Sequence, residues 1–114
     1  MFKFETLKVW QKSQVFCSSI LDEVRALPLD YRYTIGNNLI RAAISIPNNI
    51  AEGSGRRSKK ESTNFYNIAK GSVYEVVNVT IVLYDKKLLT KEQFDIIYQQ
   101  SEEIAKMLTG LINY

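Results

Sequence analysis

The chain contains no histidine, one cysteine and two prolines in 114 residues. Without histidine, the side chain that most often moves protons near neutral pH is missing, and the usual catalytic triads go with it. The lone Cys17 excludes an intramolecular disulfide, and a zinc site built from carboxylates alone is rare. Helical bundles of the ferritin type hold paired metals through Glu-x-x-His motifs. Here Glu52, Glu75 and Glu102 fall on separate segments with no histidine to complete the set. No metal or other cofactor is expected, and no enzymatic activity. Long apolar runs are absent too: Val73 to Tyr84 contains Glu75 and falls short of the ~20 residues that span a bilayer. The segment Met1-Phe2-Lys3-Phe4-Glu5 lacks the apolar core of a signal peptide, so the expected location is the cytoplasm.

What is present suits a packed domain. The length falls in the commonest range for one domain, taken as residues 1–114. A hydrophobic fraction of 46% with 24% charged residues argues against a disordered chain. The formal net charge of +3 is uneven: residues 1–60 carry ten Lys/Arg against five Asp/Glu, and residues 61–114 carry five against seven. A basic half of this kind attracts nucleic acid, although ordinary proteins show it as well.

Helical spacing repeats four times. Over 6–27, Leu7, Trp10, Cys17, Leu21 and Val24 recur at three- or four-residue steps, with Gln14 filling a gap; Val9, Phe16, Ile20 and Leu27 broaden the stripe. Pro28 ends that segment and Asp30 is the expected N-cap of the next. Over 31–52 the stripe is Ile35, Leu39, Ala42, Ile46 and Ile50. Pro47 lies inside it, where the missing N–H and the ring predict a kink near 43–47, and Gly53-Ser54-Gly55 predicts the stop. The segment 58–87 is rich in valine, yet Phe65, Ile68, Ser72, Val76, Val79 and Leu83 follow helical rather than alternating spacing. Thr90 and Gln93 form a capping box opening 91–112, where Phe94, Ile97, Ser101, Ile104, Leu108 and Leu111 trace a three-four repeat. Short connections favour antiparallel neighbours, and the expected fold is all-α: an antiparallel up-down four-helix bundle with its second helix kinked at Pro47.

The most distinctive polar feature is Arg56-Arg57-Ser58-Lys59-Lys60, four cations in five residues beside two glycines. Guanidinium forks and ammonium groups suit phosphate oxygens, while the plain alternative is a solvated charged turn. Arg41 is a weaker nucleic-acid candidate, since its stem can simply pack on the bundle. Asn48, Asn49 and Glu52 read as structural: Asn side chains satisfy backbone groups freed at a proline kink, and Glu52 is expected to pair with Arg41 or Lys70. Glu75, in an apolar helix, is expected to make an internal polar contact. The seven tyrosines suit either base stacking or helix and subunit contacts. Cys17 reads as a small buried hydrophobe.

Five blocks carry a resemblance: Leu7-Lys8-Val9-Trp10-Gln11, Arg41-Ala42-Ala43, Ser45-Ile46-Pro47, Asn49-Ile50-Ala51-Glu52-Gly53, and Ile68-Ala69-Lys70-Gly71-Ser72 with Glu75. Together they resemble the four-helix bundle proteins encoded in intervening sequences of bacterial 23S rRNA genes. Relatives of these include the accessory variability proteins of diversity-generating retroelements. The resemblance implies a non-catalytic homo-oligomer, a pentamer in the retroelement relatives, with a basic surface for RNA or DNA and a reverse transcriptase as partner. Surplus apolar residues on the third segment (Val73, Val76, Val77, Val79, Ile81, Val82 and Leu83), with Val15, Phe16, Ile96 and Met107, independently suggest self-association, for which residue physics alone favours a two-fold dimer. The competing expectation is a self-assembling scaffold that binds protein alone.

Overall fold

A computed structural model describes all 114 residues, and every regular element in it is helical. A one-turn 3-10 helix at Lys3–Thr6 precedes α1 (Lys8–Arg25), a single turn α2 (Leu29–Arg32), α3 (Ile35–Ser54), α4 (Lys59–Asp85) and α5 (Lys91–Ile112). Four of the five α-helices are long. No strand forms at Val73 to Leu83: those residues lie inside the 27-residue α4.

Several boundaries differ from expectation. Asp30 does not cap the second long helix. Instead Pro28 opens the separate turn α2, its carbonyl accepting from the N–H groups of Tyr31 and Arg32. The chain redirects at Thr34 before α3 starts at Ile35. At the other end α3 continues past Gly53 to Ser54, and it passes through Pro47 without a break. The last turn of α4 closes at Lys87, the single non-glycine residue with positive φ, at 62°. Its N–H donates to the Tyr84 carbonyl and the Leu88 N–H donates to that of Leu83, both at 2.9 Å. This pair of bonds is the Schellman arrangement, which glycine normally serves.

The start of α5 follows expectation in detail. Thr90 Oγ1 accepts from the Gln93 N–H at 3.1 Å, and Gln93 Oε1 accepts from the Thr90 N–H at 2.8 Å. Ile97, Ser101, Ile104 and Leu108 then form its buried face. In α1 the buried face is turned from the predicted centre. Val9, Ser13, Phe16, Cys17, Ile20 and Val24 are buried, while Gln14 and Leu21 are exposed. Ser13 supplies the missing position because its hydroxyl donates to the Trp10 carbonyl at 2.8 Å, leaving no unpaired polar group inside. In α4 the buried residues are Tyr66, Ala69, Ser72, Val73, Val76, Thr80 and Leu83, so Ile68 lies outside the core.

Each long helix packs on two others: α1 on α3 and α5, and α4 on α3 and α5. Side chains fix how they meet. Gly36, at the start of α3, lies against Val24 and Leu27 at the end of α1. Gly53, at the end of α3, lies against Phe65 and Tyr66 early in α4. The rings of Tyr84 and Phe94 stack at 4.5 Å where α4 gives way to α5. A cleft between Leu7-Lys8-Val9 and Gly110, Leu111 and Tyr114 joins the start of α1 to the end of α5. One end of the molecule therefore gathers the start of α1, the end of α3, the start of α4 and the end of α5.

Candidate nucleic-acid interface

The basic segment lies at that end, and the structure divides it. Arg56 and Arg57 follow the last residue of α3 and its cap, Gly55. Ser58 is the N-cap of α4, its hydroxyl oxygen accepting from the Glu61 N–H at 3.1 Å. Lys59 and Lys60 are thus helical, in the first turn of α4. Positive charge there opposes the helix dipole, whose N-terminal end is itself positive. Folding does not favour two lysines at this spot, and an incoming anion would relieve them.

Arg56 is already engaged. Its Nη2 lies 3.3 Å from Glu52 Oε2, and its guanidinium sits 4.6 Å from the centre of the Phe65 ring. The ion pair is exposed and contributes little, and the ring contact adds about 0.5–1 kcal/mol. Together they fasten the end of α3 to the beginning of α4. Arg57, Lys59 and Lys60 are exposed and take part in no ion pair. Arg41 is also exposed, but it stands 15 residues before Arg56, about 20 Å away along the helix. The structure does not bring Arg41 to the basic segment.

The structural motif residues behave unevenly. Asn49 bonds backbone, its Nδ2 donating to the Ser45 carbonyl at 2.8 Å. That carbonyl is not the one freed by proline: Pro47 lacks the N–H that would reach Ala43. The Asn49 Nδ2 also lies 3.0 Å from Ser45 Oγ, which in turn lies 2.7 Å from Ser72 Oγ on α4. This link between α3 and α4 was not visible in the sequence. Both serines belong to the distinctive blocks, but nothing in their 27-residue separation says that they meet. Glu52 pairs with Arg56 rather than with Arg41 or Lys70: Arg56 follows the end of α3 one turn on, whereas Arg41 stands eleven residues back along the same helix and Lys70 lies on α4. Glu75 is exposed and has no hydrogen-bond or ion-pair partner, contrary to the expected internal contact. Its position in α4 shares a face with the exposed Gly71 and Asn78.

Gly53 is buried because it admits another helix, not because it ends its own. A Cβ there would meet Tyr66 Cε1 at 2.6 Å and Cδ1 at 2.9 Å. Burial pushes the titration of the Tyr66 hydroxyl up, as it does for the Cys17 thiol. No set of three or more acidic or thiol side chains clusters to hold a metal ion, and no helix is long and apolar enough to cross a membrane.

The apolar surplus divides as well. Ile81, Val82, Val15 and Ile96 are exposed and Val77, Val79 and Met107 are half-buried, but Val73, Val76, Leu83 and Phe16 are buried in the core and leave no surplus surface. A groove between α4 and α5 collects Tyr74, Val77, Ile81 and Tyr98, rimmed by Lys70, Glu102 and Lys106.

The chain as a whole is similar to known proteins. A crystal structure of a protein of unknown function from the S23 ribosomal protein family of Bacteroides thetaiotaomicron VPI-5482 superposes with a TM-score of 0.88 at 27% identity. The match covers 93% of this chain and 99% of that one. No curated protein matches significantly. The family model for 23S rRNA-intervening sequence proteins matches residues 5–110, which takes in all five sequence blocks and the basic segment, and the chain belongs to that family.

Proposed function

We propose that the protein is a non-catalytic, homo-oligomeric nucleic-acid-binding or accessory protein that contacts phosphates through Arg57, Lys59 and Lys60. The observation that carries this reading is the exposure of these three cations without ion-pair partners, two of them on a helix turn that disfavours positive charge. Arg56 serves the site by anchoring the segment. The frame is an antiparallel up-down four-helix bundle, supported by the pairwise helix contacts, and a bend at Pro47 rests on the missing N–H of that residue alone. A reverse transcriptase as partner rests on the sequence resemblance alone.

Self-association is supported by the exposed apolar side chains of α4 and α5 around the groove. A ring of five is the proposed assembly, and sedimentation should then give five times the 13.1 kDa chain mass. The same groove favours a second reading, a scaffold that binds only protein. Salt dependence separates the two. Alanine at Arg57, Lys59 and Lys60 together should weaken RNA or DNA binding and lower the slope of log affinity against log salt by about two to three. An unchanged slope would leave the segment as a solvated turn and favour the scaffold.

A further inference from the structure

At the end of the molecule that carries the basic segment stands an aromatic platform that the phosphate contacts do not use. The Phe2 ring stacks on Phe4 at 5.8 Å with an interplanar angle of 18°, and Phe4 meets Trp10 edge-on at 4.9 Å. Phe2 is 73% exposed, so its ring is open to solvent. The turn that presents it is braced. The Phe2 N–H donates to Glu5 Oε2 at 2.8 Å, and Gln11 Nε2 donates to the Glu5 carbonyl at 2.8 Å.

This 3-10 turn packs on α3. Because α3 starts beside Val24 and Leu27, the turn meets its far half, which leads directly into Arg56 and Arg57. Charge at this end is lopsided. Glu5, Glu52 and Glu61 are engaged by the Phe2 N–H, Arg56 and the Ser58 hydroxyl, while Lys3, Lys8, Arg57, Lys59 and Lys60 have no ion-pair partner.

We infer that this end binds an unpaired nucleic-acid strand, with a base stacked on Phe2 and the flanking phosphates on Lys3, Lys8 and the basic segment. The inference rests on the proposed nucleic-acid reading and narrows its ligand. A duplex keeps its base faces covered, whereas an unpaired strand offers them to any exposed aromatic ring.

Fluorescence anisotropy with a labelled polythymidine strand and a duplex of equal length tests it. Wild type should prefer the strand. Phe2→Ala should cost about five- to hundredfold in strand affinity, the loss of one base stack, with duplex affinity and salt slope unchanged. Phe2→Trp should restore strand binding, which guards against a folding defect. Emission from Trp10, the single tryptophan, should respond to the strand and not to the duplex. Equal affinity for strand and duplex, or an indifferent Phe2→Ala, would overturn the platform and leave the phosphate reading standing. Failure to bind either ligand would overturn both.

Discussion

Replacing Gly53 by alanine adds one methyl group where α3 packs closely against α4. The new carbon would stand 2.6 and 2.9 Å from two Tyr66 ring atoms and 3.1 Å from Phe65 Cβ. Comfortable carbon contacts are about 3.5–4.0 Å, so close to 1 Å of separation has to be found. Tyr66 is only 7% exposed, which leaves its ring little room to swing, and Phe65 Cβ is tied to the backbone. Overpacking of this kind costs about 1–3 kcal/mol. Against it, alanine is favoured over glycine in a helix by about 0.8–1.0 kcal/mol. The net expectation is a loss of about 1 kcal/mol.

Gly71 supplies the control, since a Cβ there meets nothing within 4 Å and Gly71→Ala should gain close to the full propensity term. Both substitutions act alike on the unfolded chain, so the difference between them isolates the overpacking term of about 1–3 kcal/mol. Urea midpoints at one protein concentration measure it, with thermal melting as a second probe; the fixed concentration keeps any assembly equilibrium constant. If Gly53→Ala stabilised as much as Gly71→Ala, the close approach of the two helices would be refuted.

Two further outcomes follow from local geometry. Burial raises the titration of Cys17 and Tyr66 above their ordinary values of 9.0 and 10.0, so the fold binds their protons more tightly than the unfolded chain does. The stability this adds is complete below about pH 9 and is lost as pH rises through the raised folded values; Tyr66→Phe should flatten that alkaline decline in chemical denaturation across pH, with a small effect at neutrality. Lys87→Gly relieves a left-handed backbone position at the end of α4 and should raise stability by about 0.5–1 kcal/mol, read as a higher melting temperature.

The helical class and the last helix were legible because their signals are local. The Thr90–Gln93 box and the repeat from Phe94 to Leu111 lie within single turns of one another, and both ends of α5 fall where expected. The valine-rich α4 was also resolved correctly, by spacing over propensity. The separate turn at Leu29–Arg32 was missed because its bonds run to the Pro28 carbonyl, an acceptor that composition does not reveal. The face of α1 was misplaced because Ser13 reads as polar, yet its hydroxyl is satisfied within its own helix. The partners of Glu52 and Arg56 illustrate a broader limit. Periodicity tells which side of a helix a residue occupies, but not which residue of another helix stands opposite. The seat of Arg56 on Phe65 crosses the connection between two helices, and the Ser45–Ser72 contact spans 27 residues; neither has a signature in spacing.

That serine contact also decides alignment. Apolar seams tolerate slippage, since one aliphatic side chain replaces another at modest cost. Moving α4 along α3 by one turn, about 5.4 Å, would set Ser45 against Ile68 or Val76 in place of Ser72. The shifted pairing would forfeit that one bond, about 0.5–1.5 kcal/mol or roughly two- to tenfold, while Ser45 keeps Asn49 and Ser72 keeps the Ile68 carbonyl of its own helix. The pair of hydroxyls thereby works as a vernier that, together with the seat of Tyr66 on Gly53, favours one setting of two long helices among several that aliphatic contacts alone would accept.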